Sequence, residues 1–277
     1  MVYFLTALYY EAKDIICHYK MKKVIGITKF QVFKGENEIL IISGTGGIKA
    51  IVAATYLLTN FEHNEDDIFV NIGTCGSVKN NFQEGEVFLC NKLVDNFSKK
   101  AFYPDMLFKN PFNEGILESF SNVVNANIEQ NIEADIVDQE GAFVYEAVSM
   151  FFNPQNIYII KIVSDMLNSS LVTPQSIERL MGEAMPEVYN WLKERVKVKF
   201  NNQDIISMEE YKLLKDLSEN IKLTLAMDIE LKKLSKQYKI RNGYIIDVIN
   251  KYKNSECKSK IEGKRVFGEL KTRLMEL

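Results

Sequence analysis

Short apolar runs alternate with helically spaced stretches over residues 1–200. Runs that predict buried strands lie at 2–8, 67–78, 86–97, 132–137 and 156–165. Helical spacing predicts helices that open near 9–11 and that cover 48–61, 115–123, 141–152 and 174–196. Pro186 would interrupt the last helix, and a hairpin turn is predicted at 34–38. Alternating strands and helices favour an α/β fold with a parallel or mixed sheet.

The pattern changes near residue 200. Residues 201–277 show no comparable strand alternation, and they predict two to four amphipathic helices. They contain 16 Lys and Arg against 12 Asp and Glu, whereas residues 1–200 contain 18 against 25. We therefore predict an α/β domain over 1–198 and a C-terminal helical extension over 199–277. The stretch 251–273 could bind nucleic acid, but its interleaved acids favour a solvated helix face, so a nucleic-acid partner is not expected.

Cysteine, histidine and charge usage narrow the class of protein. The four cysteines form no CxxC pair, and the chain has two histidines, so we expect no zinc or other metal site. Scattered cysteines, together with a start that does not read as a signal peptide, fit a cytoplasmic location. The net charge of −3 and the absence of an apolar run of about 18 residues argue against a membrane partner.

Polar and glycine-rich segments follow several predicted strands, where α/β proteins bind ligands. Two of them are the loops "SGTGG" (43–47) and "NIGTCGS" (71–77), which fit either a tight turn or a ligand loop. The loop "SGTGG" has the spacing of neither a dinucleotide-binding loop nor a Walker A loop. Glu11, Glu140 and Asp165 also lie near strand ends. Each of these acids fits a helix-start or solvated charge, but their shared placement favours a binding site.

The motifs "ALYYEAKDI", "ISGTGGIKAIVAATYLL", "FVNIGTCGSV", "VDQEGAFVYEAV" and "IKIVSD" occur in this order. By these motifs and their order, the chain resembles the nucleoside phosphorylase/nucleosidase superfamily. Within that superfamily it most resembles the 5′-methylthioadenosine/S-adenosylhomocysteine nucleosidases. The resemblance covers residues 1 to about 197. It implies a three-layer phosphorylase/hydrolase-like fold with a central mixed, partly barrel-like sheet. It also implies a purine nucleoside substrate, a role in methionine salvage, a homodimer and no cofactor.

The resemblance also implies roles for individual residues. Asp165 would protonate the purine N7 while Ser164 orients it, and a general acid of this kind must hold its proton near neutral pH. Glu11 would activate or position a water at the anomeric carbon, and Glu140 would bind the ribose hydroxyls. The remaining substrate-binding residues implied are Ser43, Gly44, Thr74, Cys75, Gly76 and Gln139, with Phe102 or Tyr103 completing the pocket of a neighbouring subunit.

Three functions remain open on the sequence. Hydrolysis of a purine nucleoside is favoured over phosphorolysis because residues 1–178 contain no arginine, although Lys13 or Lys49 could bind phosphate. A nucleoside-binding protein without catalysis is the third possibility. It is motivated by residues 121–135, which lack the glycine and the adenine-stacking aromatic that the nucleosidases carry before the ribose glutamate. A ring could come instead from Phe143 or from residues 101–105.

Overall fold

A ten-stranded mixed sheet runs through the first of the two units that the chain forms, Met1–Lys199 and Phe200–Leu277. The computed structural model describes residues 1–27, 29–64, 66–79, 82–124, 132–168, 172–198, 205–253 and 255–275. The strands are β1 (Val2–Thr6), β2 (Lys22–Lys23), β3 (Gln31–Lys34), β4 (Glu38–Ile42), β5 (Ile68–Ser77), β6 (Val87–Asp95), β7 (Ala101–Phe102), β8 (Asn113–Ser119), β9 (Ile136–Asp138) and β10 (Ile157–Asp165). The helices of this unit are α1 (Tyr9–His18), α2 (Gly47–Asn60), α3 (Gly141–Val148) and α4 (Pro174–Lys197).

The longest strand, β5, joins an open part of the sheet to a closed barrel. β5 pairs in parallel with β1, and β1 continues through β4 to β3 and β2. On its other side β5 contacts both β9 and β10. Because β9 leads through β8 and β6 back to β10, these five strands form a closed ring. The central mixed sheet with a barrel-like part is therefore confirmed.

Helices cover both faces of the sheet. β1 is buried along its whole length, which is typical of a central strand covered on both sides. One core cluster packs Phe4 and Val70 against α1 and α4, and the other packs Tyr3 and Phe69 against α2 and α3. The predicted three-layer α/β fold is therefore confirmed.

Two predicted elements are corrected. The helix predicted over 115–123 is wrong, because Asn113–Ser119 form β8 between β6 and β9 of the barrel. A short apolar run fits either state, and pairing with two neighbouring strands decides it. Helix α4 also continues unbroken past Pro186. Pro186 and Gly182 are both exposed, so the carbonyl that lacks a helical donor can bind water.

The second unit is helical, as predicted. Its helices are α5 (Met208–Asn220), α6 (Leu225–Asn242), α7 (Ile246–Tyr252) and α8 (Lys260–Met275). They bury a separate apolar core that includes Leu214, Leu231, Ile249 and Phe267. Of the helices described in either unit, none combines the length and apolar character needed to cross a bilayer.

Candidate active site

A cavity of about 380 Å³ opens at one edge of the sheet in the first unit, where β1, β5, β9 and β10 end. Eight residues predicted for the site line it: Glu11, Thr74, Cys75, Gly76, Gln139, Glu140, Ser164 and Asp165. They come from segments up to 154 positions apart in the sequence (Glu11 to Asp165). The parallel pairing of β1, β5 and β10 brings them together, because it places the carboxyl ends of these strands at one edge.

Glu11 lies in the first turn of α1 and is buried. Its Oε2 accepts hydrogen bonds from the backbone nitrogens of Ala7 (3.0 Å) and Leu8 (2.9 Å). Its Oε1 accepts from the backbone nitrogen (2.8 Å) and the hydroxyl (3.0 Å) of Thr74. Gly73 makes room for this carboxylate, since a Cβ there would lie 2.8 Å from Oε1. The arrangement fixes an acceptor-only group in one orientation.

Glu140 lies just before α3 and is also buried. Its Oε1 accepts a 2.7 Å hydrogen bond from the backbone nitrogen of Gly46. Gly46 adopts a φ of 102°, which favours glycine, so the "SGTGG" loop positions Glu140 through its backbone. Burial, followed by the nearby charge of Asp138, raises the pKa of Glu140 to about 7. Lys161 and the Gly46 N–H oppose this rise.

Asp165 ends β10 with its carboxylate held on both sides. Its Oδ1 accepts from the backbone nitrogen of Asn168 (2.7 Å), and its Oδ2 accepts from the hydroxyl of Ser164 (2.9 Å). The same hydroxyl lies 3.1 Å from the carbonyl oxygen of Cys75. A hydroxyl has one proton, so Ser164 can donate to ionised Asp165, or donate to the Cys75 carbonyl and face protonated Asp165 as an acceptor.

Cys75 lines the cavity as a buried thiol. Burial raises its pKa well above the ordinary value, which keeps sulfur protonated and unreactive. It packs in the core cluster with Phe69 and Val163, as a small apolar side chain would.

Four predicted site residues do not line the cavity. The Ser43 hydroxyl is 2.8 Å from the Gly44 carbonyl oxygen, and the Gly44 nitrogen donates to Ala7. Phe102 packs against Tyr145 with ring centroids 5.7 Å apart, and Tyr103 is exposed. The proposed role of Phe102 or Tyr103 in a neighbouring subunit stays a prediction.

Other cavity residues were not anticipated from the sequence. Tyr10, Thr45 and Asp138 supply polar atoms, and Asp138 could have been found because it stands in "VDQEG". The apolar part of the lining includes Val123, Val124, Val137, Leu167, Val172 and Ile177. Phe143 does not line the cavity, and its ring packs instead where a Gly47 side chain would lie. Residues 125–131 of the stretch that departs from the nucleosidases lie outside the described residues.

The chain shares its fold with solved nucleosidases and with a futalosine hydrolase. A Streptococcus pyogenes S-adenosylhomocysteine nucleosidase, solved in complex with 5-methylthiotubericidin, aligns with a TM-score of 0.61 and 15% identity over 70% of this chain and 96% of that one. Helicobacter pylori futalosine hydrolase aligns with a TM-score of 0.59 and 15% identity, over 70% and 97%. A Neisseria meningitidis 5′-methylthioadenosine/S-adenosylhomocysteine nucleosidase aligns with 0.56 and 17%, over 71% and 98%. No family model and no curated protein matches the sequence.

Proposed function

We propose that this protein hydrolyses the N-glycosidic bond of a purine nucleoside such as 5′-methylthioadenosine or S-adenosylhomocysteine. The observation that carries the proposal is that Glu11, Glu140 and Asp165 line one cavity, each held by hydrogen bonds from the backbone. Solved structures with the same fold include nucleosidases for these two substrates, which supports the choice.

In the proposed reaction, Asp165 gives its proton to N7 of the purine as the bond between C1′ and the base breaks. The base then leaves as a neutral molecule, and the sugar develops oxocarbenium character. Water adds to C1′, and Glu11 accepts the proton that this water loses. Ser164 stabilises Asp165 in either protonation state, since its hydroxyl reaches both Asp165 and the Cys75 carbonyl.

Glu11 can receive a water or a sugar hydroxyl only by exchanging one of its present partners. Its two oxygens already accept four hydrogen bonds, which fills the lone-pair sites of a carboxylate. Three of the donors are fixed backbone nitrogens, and the fourth is the Thr74 hydroxyl, which can rotate away. The exchange site is therefore the position that the Thr74 hydroxyl occupies.

Water is the proposed acceptor because the cavity offers little to bind phosphate. Four carboxylates line it, those of Glu11, Asp138, Glu140 and Asp165, and no lysine or arginine is among the described lining residues. Phosphate binding in proteins relies on such cations or on clustered backbone donors. A phosphorylase would need a cationic group or clustered backbone donors at this cavity.

An assay of base release distinguishes hydrolysis from phosphorolysis and from nucleoside binding without catalysis. We expect wild type to release adenine from methylthioadenosine or S-adenosylhomocysteine equally with and without phosphate. Asp165→Asn should lower the rate by about 10²–10⁴-fold, the usual range for loss of a general acid. Asp66→Asn, at an exposed position outside the cavity, is the matched control.

Other results would change the proposal. Release that requires phosphate would identify a phosphorylase. Nucleoside binding without release in wild type would identify a binding protein. Equal rates in wild type and Asp165→Asn would remove Asp165 from the mechanism.

A further inference from the structure

Lys161 is a buried cation that the reaction above does not use. It lies in β10 inside the closed barrel, with 2% of its surface exposed. Its Nζ lies 2.8 Å from Oδ2 of Asp138. Fully buried lysines are rare, because the charge must leave water, and they persist where paired.

Asp138 connects Lys161 to the element that carries Glu140. The Ser119 hydroxyl donates to Asp138 Oδ1 at 2.5 Å, and the backbone nitrogen of Gly141 donates to Oδ2 at 2.8 Å. Gly141 is the first residue of α3, and Glu140 directly precedes it. The position of the ion pair therefore fixes the start of α3, and with it the backbone from which Glu140 reaches the cavity.

Lys161 also faces Glu11. Lys161 and Gly73 are partners in the parallel β5–β10 ladder, so their Cα–Cβ directions point to the same side of the sheet. On that side a Cβ at Gly73 would meet the Glu11 carboxylate at 2.8 Å. Lys161 therefore lies on the same side of the sheet as the Glu11 carboxylate, and its charge interacts with those of Asp138, Glu140 and Glu11.

We propose that Lys161 is a positioning residue for the candidate active site, a countercharge that favours the ionised form of Glu140 and helps to orient it to accept hydrogen bonds from a ligand's hydroxyls. The role of Glu140 in this inference rests on the proposed function. The effect of the Lys161 charge on the ionisation of Glu140 is a property of the protein alone and can be tested without a substrate.

The charges around Glu140 support this assignment. Burial and Asp138 raise the pKa of Glu140, Glu11 adds to the rise, and Lys161 and the Gly46 N–H counter it. Burial disfavours the charged form of Lys161, but the facing acids Asp138, Glu140 and Glu11 outweigh it and raise the Lys161 pKa. Lys161 therefore stays cationic throughout the range in which Glu140 titrates. Cys75 and Cys90 also face it, and burial raises the pKa of both thiols.

The first test is a ¹³C NMR titration of carboxyl-labelled aspartate and glutamate in the full chain, with Glu140→Gln used for assignment. In Lys161→Met we expect the Asp138–Glu140 carboxyl pair to take up its first proton with an affinity at least about tenfold higher than in wild type, which is one pH unit. Lys161→Arg should keep the wild-type titration. Lys34→Met, at an exposed position on β3, is the matched control.

If Lys161→Met does not fold, Asp138→Asn is the alternative variant, and it should shift the titration of Glu140 in the opposite direction. An asparagine oxygen can still accept from Lys161, while the negative charge that opposes ionisation of Glu140 is removed. Glu140 should then titrate at a lower pH than in wild type. Titrations within about twofold of wild type in proton affinity, in whichever of the two variants folds, would overturn the proposal.

Catalysis provides the second test. In Lys161→Met the acid limb of kcat/KM should move to higher pH and KM should rise, whereas Lys161→Arg should restore the position of the limb. A lysine that only stabilised the barrel would lower the amount of folded enzyme without moving this limb. If wild type releases no base, the proposed function fails while the NMR titration still decides the role of Lys161. If wild type is active, and Lys161→Met changes neither the acid limb of kcat/KM nor the carboxyl titration, the inference about Lys161 fails while the proposed function stands.

Discussion

Burial makes the ionisation of Glu140 unfavourable for the folded protein. The pKa of this carboxyl rises from an ordinary value of 4.5 to about 7. Its contribution to stability is therefore fully present below about pH 4.5, and it is lost as the pH rises through 7, where the folded protein must bury the charge. A ligand whose hydroxyls donate to the ionised form would offset part of this cost.

Glu140→Gln should remove this dependence on pH. Because the pKa of Glu140 is raised from 4.5 to about 7, the unfolding free energy of wild type should fall by about 3 kcal/mol more than that of the variant between pH 4.5 and pH 8.5. Urea unfolding across this range measures the difference. Glu187→Gln, at an exposed position on α4, controls for loss of a glutamate. Parallel stability curves for wild type and Glu140→Gln would contradict the expectation.

Gly73 and Glu11 are coupled by close contact. A Cβ in Gly73→Ala would lie 2.8 Å from Oε1 and 3.2 Å from Oε2 of Glu11, so the carboxylate would have to move. Displacement of a reacting group by about 1 Å can cost about 10²-fold in rate, and we expect a loss of that order in base release. Gly182→Ala, where a Cβ meets nothing within 4 Å, is the control. Unchanged release in a folded Gly73→Ala would show that Glu11 tolerates displacement.

At the scale of elements, helix α4 shows how packing outweighs a local signal. Pro186 cannot donate to the helix and disfavours helical geometry in the preceding turn. Met185, Val188, Tyr189 and Leu192 are nevertheless buried against the sheet, and this apolar face holds the helix through the proline. Strand β8 is a similar case, since its assignment depends on β6 and β9 as neighbours.

Pro186→Ala should stabilise the first unit. The alanine restores a helical hydrogen bond, which stabilises the folded state, and it also gives the unfolded chain more conformational entropy, which stabilises the unfolded state. The first effect is the larger, so we expect an increase of about 1–2 kcal/mol in unfolding free energy. Pro186 is exposed and does not line the cavity, so base release should not change. Thermal unfolding and the release assay together measure both effects. A decrease in stability would show that the proline fits its site without strain.

At the scale of the whole molecule, each unit has its own core. The buried residues of the two clusters around the sheet come from positions 2–192, and those of the cluster in the helical unit come from positions 206–274. We therefore predict that residues 1–198 fold and release base without the helical extension. Circular dichroism and the release assay on this truncated chain are the measurement. A folded but inactive fragment would show that the extension takes part in catalysis.

The sequence determined the features that depend on local pattern. Apolar runs and helical spacing indicated β1, β5, β6 and β10, the helices around them and the helical extension. They did so because an element that is buried on one or both faces has a characteristic pattern of apolar residues in its sequence. Motif order indicated the fold and eight of the residues that line the cavity. These motifs are local, and each keeps its strand-end position once the sheet forms.

Only the tertiary structure decided what depends on distant neighbours. The pairing of β8, the closing of the barrel by β10 and β5, and the contact of Gly46 with Glu140 join segments that no local period connects. The same holds for Lys161, which in sequence is one polar position within the apolar run "IIKIV". Its interaction with three carboxylates follows from strand register and from the start of α3, because charges act through space and not along the chain.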